Sequence, residues 1–212
     1  MKKQLLYIHG GDSFSNYEDF LNDLRSKTIR NLPSDNNEEL KKIWTTSLEE
    51  DLGEDFEVFR PSMPNKQNAK YEEWKIWFER HFEFLHDEVV LLGWSLGGMF
   101  LAKYLTENDF PIKIKSVYLL GAPSGDIEPD ETGNDCGDFC FSNNSLSFLV
   151  KKAKKINIWH SEDDFVVPYT EFLKYRQFLD EKTVNFVSFK DKNHFLLTEF
   201  PELITSIKAD FL

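Results

Sequence analysis

Three kinds of residue in this chain have the types and the order needed for nucleophilic acyl chemistry. Ser95 lies in Gly93-Trp94-Ser95-Leu96-Gly97-Gly98, directly after an apolar run and directly before a helical pattern. Glycines on both sides permit a sharp strand-to-helix turn with the hydroxyl at its apex. A serine hydroxyl is a weak nucleophile until a base takes its proton, and that base needs a third group to fix its tautomer and stabilise its charge. Downstream, Ser161-Glu162-Asp163-Asp164-Phe165-Val166-Val167-Pro168 offers an acid near position 164, and Asn193-His194-Phe195 offers an imidazole. The order Ser, acid, His is the one expected when such a triad is built on a strand-turn-helix sheet. Of the remaining histidines, His9 and His160 sit at strand ends and read as structural imidazoles, while His81 and His86 belong to an aromatic helix and its exit.

Ser95, the acid and His194 are 69 and 30 positions apart in turn, so they meet only if the fold collects them at one edge. The apolar pattern supplies that edge. Six short β-rich runs read as strands: Gln4 to His9, Phe56 to Arg60, Glu88 to Trp94, Ile114 to Gly121, Lys155 to His160 and Thr183 to Phe189. Helical periods separate them, over Tyr17 to Leu32, Asn37 to Glu50, Leu96 to Thr106, Pro168 to Leu179 and Glu199 to Phe211. A further helix is marked by Tyr71, Trp74, Trp77, Phe78, Phe82 and Leu85, spaced by threes and fours as one apolar face. Leu32-Pro33-Ser34-Asp35 reads as the stop between the first two helices. Strands alternating with helices imply βαβ units, and the continuous Val89-Val90-Leu91-Leu92 suits a central strand covered on both faces. The expected fold is α/β, a three-layer α/β/α sandwich on a mostly parallel sheet of about six strands. In such a sheet the carboxyl ends share one edge, where Ser95, the acid and His194 converge.

The 212 residues are 41% hydrophobic and 29% charged, the composition of a globular chain that buries one sizeable core. A single domain over 1–212 is expected, with no repeat or linker dividing it. Acidic side chains outnumber basic ones 37 to 25, a formal charge of −12, which repels phosphate backbones and anionic membrane surfaces. Neither nucleic-acid binding nor membrane insertion is expected, because no stretch approaches the roughly 20 apolar residues a span requires. The amino-terminal apolar run stops at Ile8, too short for a secretory leader. Cys136 and Cys140 stand four apart in an acidic loop with no second pair, so they read as reduced thiols in a cytoplasmic protein. There is no G-x-G-x-x-G and no phosphate loop, so no nucleotide cofactor is expected. The acids from Asp126 onward do not follow the calcium-loop order, since the twelfth position is Gly137 where glutamate is required; no metal site is expected.

These motifs resemble the α/β-hydrolase superfamily, and within it the small, nearly lidless serine hydrolases of the retinoblastoma-binding protein 9 type. The likeness runs over most of the chain. It rests on His9-Gly10-Gly11, Pro61-Ser62-Met63-Pro64-Asn65, Gly93 to Gly98, Gly121-Ala122-Pro123, Asp164 to Pro168 and Asn193-His194-Phe195 in this order. The resemblance implies that the acid is the first residue of a D-x-x-V-P pattern, which selects Asp164 over Asp163 and Glu162. It also implies an oxyanion hole from the backbone N–H of Leu96 together with that of Gly11 or Asp12. Caps in this superfamily are commonly inserted after the strand that ends at Gly121. The irregular stretch 122–150 is therefore a candidate short lid, with Phe139, Phe141, Leu146 and Phe148 either lining an acyl pocket or pinning the loop to the surface. The reading that follows is a cofactor-independent serine hydrolase that cleaves small-molecule carboxylic esters with a short acyl group, by way of an acyl-enzyme. Two other readings stand beside it: a catalytically weak interaction protein on the same fold, and a lyase or acyltransferase using the same site.

Overall fold

The computed structural model describes residues 1–29, 43–130 and 133–212. Six strands are found among them: β1 (Lys3–Ile8), β2 (Phe56–Phe59), β3 (Glu88–Trp94), β4 (Lys113–Leu120), β5 (Ile156–Ser161) and β6 (Asn185–Phe189). Every pairing is parallel, in the spatial order β2-β1-β3-β4-β5-β6. The helices are α1 (Tyr17–Ser26), α2 (Trp44–Leu52), α3 (Tyr71–Glu79), α4 (Leu96–Glu107), the short α5 (Leu146–Leu149), α6 (Tyr169–Phe178) and α7 (Pro201–Ala209).

Alternation along the strands makes the layers. In β3, Val89 and Leu91 join one core with Trp74 and Phe78 of α3, Met99 and Phe100 of α4, and Phe172 and Tyr175 of α6. Val90 and Leu92 face the other way, into a second core with Trp44 and Leu48 of α2 and Leu203 and Ile207 of α7. A strand buried on both sides has no polar face to present, which is why its sequence reads as an unbroken apolar run. Burial of this surface, at about 25 cal/mol per Å² of apolar area, is the main force holding the three layers together.

Several elements differ from the sequence expectation. Helix α1 ends at Ser26, while the expected stop at Leu32 to Asp35 and the start of a helix at Asn37 lie outside the described residues. The apolar stripe from Tyr71 is split, because α3 ends at Glu79 and a separate 3₁₀ turn covers Phe82–Phe84. Trp77, placed by spacing on the buried face, is 37% exposed and packs its ring against His81 and Arg80 instead of joining either core. Beyond β4, the chain crosses the sheet edge in an irregular stretch holding 3₁₀ turns at Gly137–Phe139 and Asn143–Ser145 before α5. Phe139 is buried there with its ring 5.1 Å from Trp74 and 5.8 Å from Tyr71.

The strand order reverses between β1 and β3, since the chain builds β2 on one side of β1 and then returns to the other. At such a switch point the loops after the two central strands diverge and leave a crevice at the carboxyl edge. The loop after β1 and the turn after β3 flank that crevice. Their close approach depends on Gly97, where a Cβ would overlap the carbonyl oxygens of Ile8 and His9. Gly97→Ala forces backbone to move at the centre of the sheet, an overpacking that costs about 1–3 kcal/mol. Urea unfolding is expected to show a loss of that size, and an unchanged midpoint would contradict the tight packing of α4 on β1.

Candidate active site

Ser95 occupies the turn between β3 and α4 with φ 57° and ψ −128°, a left-handed conformation that a non-glycine residue adopts at a cost of order 1–3 kcal/mol. Neighbours hold it there. The Ser95 N–H donates to the Leu120 carbonyl at the end of β4 (2.9 Å), and its own carbonyl accepts from Gly98 (2.9 Å) and Met99 (3.2 Å) in the first turn of α4. The side chain is thereby presented at the carboxyl edge of the sheet, above the amino-terminal and electropositive end of α4.

His194 and Asp164 form a buried pair on the same edge. His194 Nδ1 lies 2.8 Å from Asp164 Oδ2. The other carboxylate oxygen, Oδ1, accepts the backbone N–H groups of Val166 (2.8 Å) and Val167 (2.9 Å). A carboxylate can only accept, so Nδ1 carries the proton and Nε2 is left as the basic nitrogen. Gly121, at φ +50°, lies against both groups: a Cβ there would stand 3.2 Å from Asp164 Oδ2 and 3.2 Å from His194 Nδ1. Gly121 directly follows Leu120, whose carbonyl holds Ser95, so one peptide connects the serine turn to the acid–imidazole pair.

The other acids do different work. Asp163 Oδ1 accepts from Ser161 Oγ (2.5 Å) and from the Asn193 N–H (2.9 Å), bracing the loop that carries His194. The Ser161 hydrogen bond holds the Asp163 carboxyl below the usual range. Glu162 accepts from Ser188 Oγ at 3.3 Å, away from His194. His160 is buried, donates Nε2–H to the Val167 carbonyl (2.9 Å) and lies 3.4 Å from Asp164 Oδ2. His9 accepts the Met63 N–H on Nε2 (2.8 Å) and donates from Nδ1 to the Gly10 carbonyl (2.6 Å), tying the loop after β1 to the loop after β2.

Two of the backbone N–H groups expected near Ser95 differ from the third in their partners. Among the described residues, the N–H groups of Leu96, first in α4, and of Gly11 have no protein acceptor. The Asp12 N–H is different, because it is already donated to the Lys66 carbonyl at 2.8 Å. Asp12 is therefore excluded as an oxyanion donor, and its side chain is held by Lys27. Sequence spacing could not show this, since the competing acceptor comes from the loop after β2.

A cavity of about 750 Å³ opens at Ser95 and Leu96. Its apolar wall comes from Pro123, Ile127 and Pro129 of the stretch after β4 and from Phe165, Val167 and Pro168 before α6. The aromatics singled out in the sequence do not line it. Phe139, Phe141 and Leu146 are buried in the core on the α4 side, and Phe148 is half exposed. The same stretch is fastened by a network with no sequence signature: Glu171 accepts from the N–H and Oγ of Ser124, Lys174 bridges Glu171 and the Asp126 carbonyl, and Tyr175 bonds the Pro123 carbonyl. Cys136 and Cys140 are unpaired thiols, and burial pushes the Cys136 thiol far up. Among the described residues no group of three or more His, Cys, Asp or Glu side chains is placed to hold a metal ion, and no helix is long and apolar enough to cross a membrane.

No protein-family model matches the chain, and no curated protein matches it. Solved structures do. The chain is similar to the ydeN gene product from B. subtilis, with a TM-score of 0.73 at 18% identity over 99% of both chains. It is similar to the esterase domain of a Rhodothermus marinus protein, with a TM-score of 0.59 at 18% identity over 98% of this chain and 85% of that one. A monoacylglycerol lipase from Paleococcus ferrophilus gives 0.53 at 15% identity, covering 98% and 93%. At these identities the likeness is one of fold, and the narrower resemblance to the retinoblastoma-binding protein 9 type rests on the motifs alone.

Two histidines, the buried His160 and the half-buried His9, fix the sign of one pH effect. Burial, the largest cause, holds His160 below the usual histidine range, outweighing its bond to Val167 and the charge of Asp164; His9 is lowered in the same direction, also by burial. The unfolded chain therefore takes up protons that the folded chain refuses. Stability from these groups is complete above about pH 6.5 and falls as the pH drops below it, for His160 by up to about 1.4 kcal/mol per pH unit. Urea midpoints taken at about pH 7.5 and about pH 5.5 are expected to fall in wild type and to fall less in His160→Gln; equal slopes would contradict the assignment.

Proposed function

Given the α/β-hydrolase fold, we propose that this protein is a serine hydrolase that cleaves carboxylic esters through an acyl-enzyme intermediate. Ser95 Oγ attacks the ester carbonyl carbon while its proton passes to His194 Nε2. The imidazolium that forms is stabilised and held in orientation by Asp164. Negative charge moves onto the carbonyl oxygen, where the Leu96 and Gly11 N–H groups and the amino-terminal end of α4 receive it. As the tetrahedral state collapses, the leaving alkoxide takes the proton from His194 and departs as the alcohol. Water then attacks the acyl carbon and gives its proton to His194; as this second tetrahedral state collapses, His194 returns the proton to Ser95 Oγ and the carboxylic acid leaves. No step needs a metal or an organic cofactor.

The observation that carries this reading is the buried 2.8 Å hydrogen bond between His194 and Asp164, one peptide away from the group that holds the Ser95 turn. The cavity supports an uncharged acyl or alkyl group, because its prolines, Ile127, Phe165 and Val167 offer apolar contact while its charged lining, Asp12, Glu128, Asp130 and Glu171 against Lys174, is mostly acidic. Its volume of about 750 Å³ exceeds what an acetyl group fills. A preference for esters over thioesters or amides follows the family resemblance, and the unpaired thiols support a cytoplasmic location.

The test is hydrolysis of a p-nitrophenyl ester series from acetate upward by wild type, Ser95→Ala and Asp164→Asn. Wild type is expected to turn over the short and middle members. Ser95→Ala is expected to abolish turnover with the fold intact, and Asp164→Asn to reduce kcat by on the order of 10⁴-fold, since the amide no longer stabilises the imidazolium or fixes its tautomer. Undiminished hydrolysis by Ser95→Ala would overturn the assignment.

A further inference from the structure

Trp94 stands directly before the serine, and nothing in the mechanism above uses it. Its indole Nε1–H donates to the backbone carbonyl of His194 at 3.0 Å, and its ring lies 5.5 Å from the imidazole. A second indole does the same one residue further on. Trp44, the first residue of α2, donates Nε1–H to the Phe195 carbonyl at 2.8 Å, and its main-chain N–H donates to the Leu197 carbonyl at 3.0 Å. The two indoles meet edge to face with centroids 6.3 Å apart. Successive carbonyls of the histidine loop are thus each held by a tryptophan, one from the central strand and one from the covering helix.

The loop requires such holding. His194 is flanked by two non-glycine residues in left-handed backbone, Asn193 at φ 42° and Phe195 at φ 54°. Asparagine tolerates that region, but a bulky phenylalanine persists there only where its surroundings over-determine it. Phe195 is fully buried and stacked on Phe200 with centroids 5.1 Å apart. From the opposite side, Ser161 Oγ and Asp163 Oδ1 accept the N–H groups of Lys192 and Asn193 at 3.0 and 2.9 Å. Indole donors and side-chain acceptors thus hold the main chain before and after the imidazole.

We propose that Trp94 and Trp44 are positioning residues that act through His194: a paired indole clamp that sets the distance from the base to the nucleophile. This rests on the hydrolase reading of the site. Trp94 is suited to the role because its main chain leads into Ser95 while its side chain grips His194. A single residue therefore couples nucleophile and base, and the His194 loop cannot drift without breaking an indole hydrogen bond. Trp44 ties that coupling to the second layer of helices.

The test uses Trp94→Phe and Trp44→Phe, which keep an aromatic ring but remove the N–H, each alone and in a His194→Ala background. Trp44→Phe leaves the serine turn untouched and covers the case in which Trp94→Phe does not fold. Each single variant is expected to lower kcat by about 10- to 100-fold, the usual penalty for a displaced catalytic group, with KM nearly unchanged. Neither substitution is expected to reduce further the residual rate of His194→Ala, because the clamp works only through that residue. Loss of equal size in the His194→Ala background, or wild-type kcat in both single variants, would overturn the proposal. The Nδ1 proton of His194, followed by NMR, reads the loop without turnover and is expected to exchange faster in both variants. Should wild type hydrolyse no ester, the hydrolase reading fails by itself, and unchanged exchange of that proton would separately overturn the clamp.

Discussion

The left-handed backbone at Ser95 is the constraint to which the rest of the site answers. A parallel strand must end and a helix begin within one residue, and the serine side chain is exposed only because that residue takes a conformation it would otherwise avoid. Holding it there requires a partner from the next strand, supplied by the Leu120 carbonyl, and a helix packed hard against β1, which Gly97 permits. The same packing brings the loop after β1 beside the serine, where the Gly11 N–H has no protein acceptor among the described residues. Strain at one residue, the neighbours that enforce it and the approach of the loop after β1 are consequences of one piece of local geometry.

From that point the acid and the base are placed by topology. Parallel strands put the loops after β5 and β6 on the edge that carries Ser95, and the buried pair is completed when Asp164 accepts from both Val166 and Val167 as well as from His194. Those two backbone bonds explain why the acid is followed by a tight turn. They hold the carboxylate independently of the imidazole, through its other oxygen. Asp163, its neighbour, is used to steady the loop of His194, which gives the adjacent acids separate tasks.

Much of this was legible in the sequence, and what was not has a common cause. The strand Glu88–Trp94 matches its apolar run at both ends, because a strand buried on both faces writes its full length in Val and Leu. The order of Ser95, Asp164 and His194 was readable because each follows a strand. By contrast, Trp77 looked buried, Phe139 and Phe141 were candidates for a pocket they do not line, and Asp12 was a candidate donor. In each case the answer depends on a partner that a residue's own spacing does not show: His81 and Arg80 beside Trp77, Trp74 and Tyr71 against Phe139, and the Lys66 carbonyl. Periodicity reports a residue's own element and says nothing of what the next loop offers. The indole bonds of Trp44 and Trp94 were invisible for the same reason, since they end on backbone carbonyls about a hundred and more residues away.

Whether Ser95 is an activated nucleophile is answered most directly by labelling the purified protein with a fluorophosphonate, which reacts with a serine only when a base removes its proton, and mapping the adduct by mass spectrometry. Modification at Ser95 in wild type, lost in His194→Ala, is the predicted result. A well-folded wild-type protein that takes up no label, or takes it up at another serine, would contradict the account.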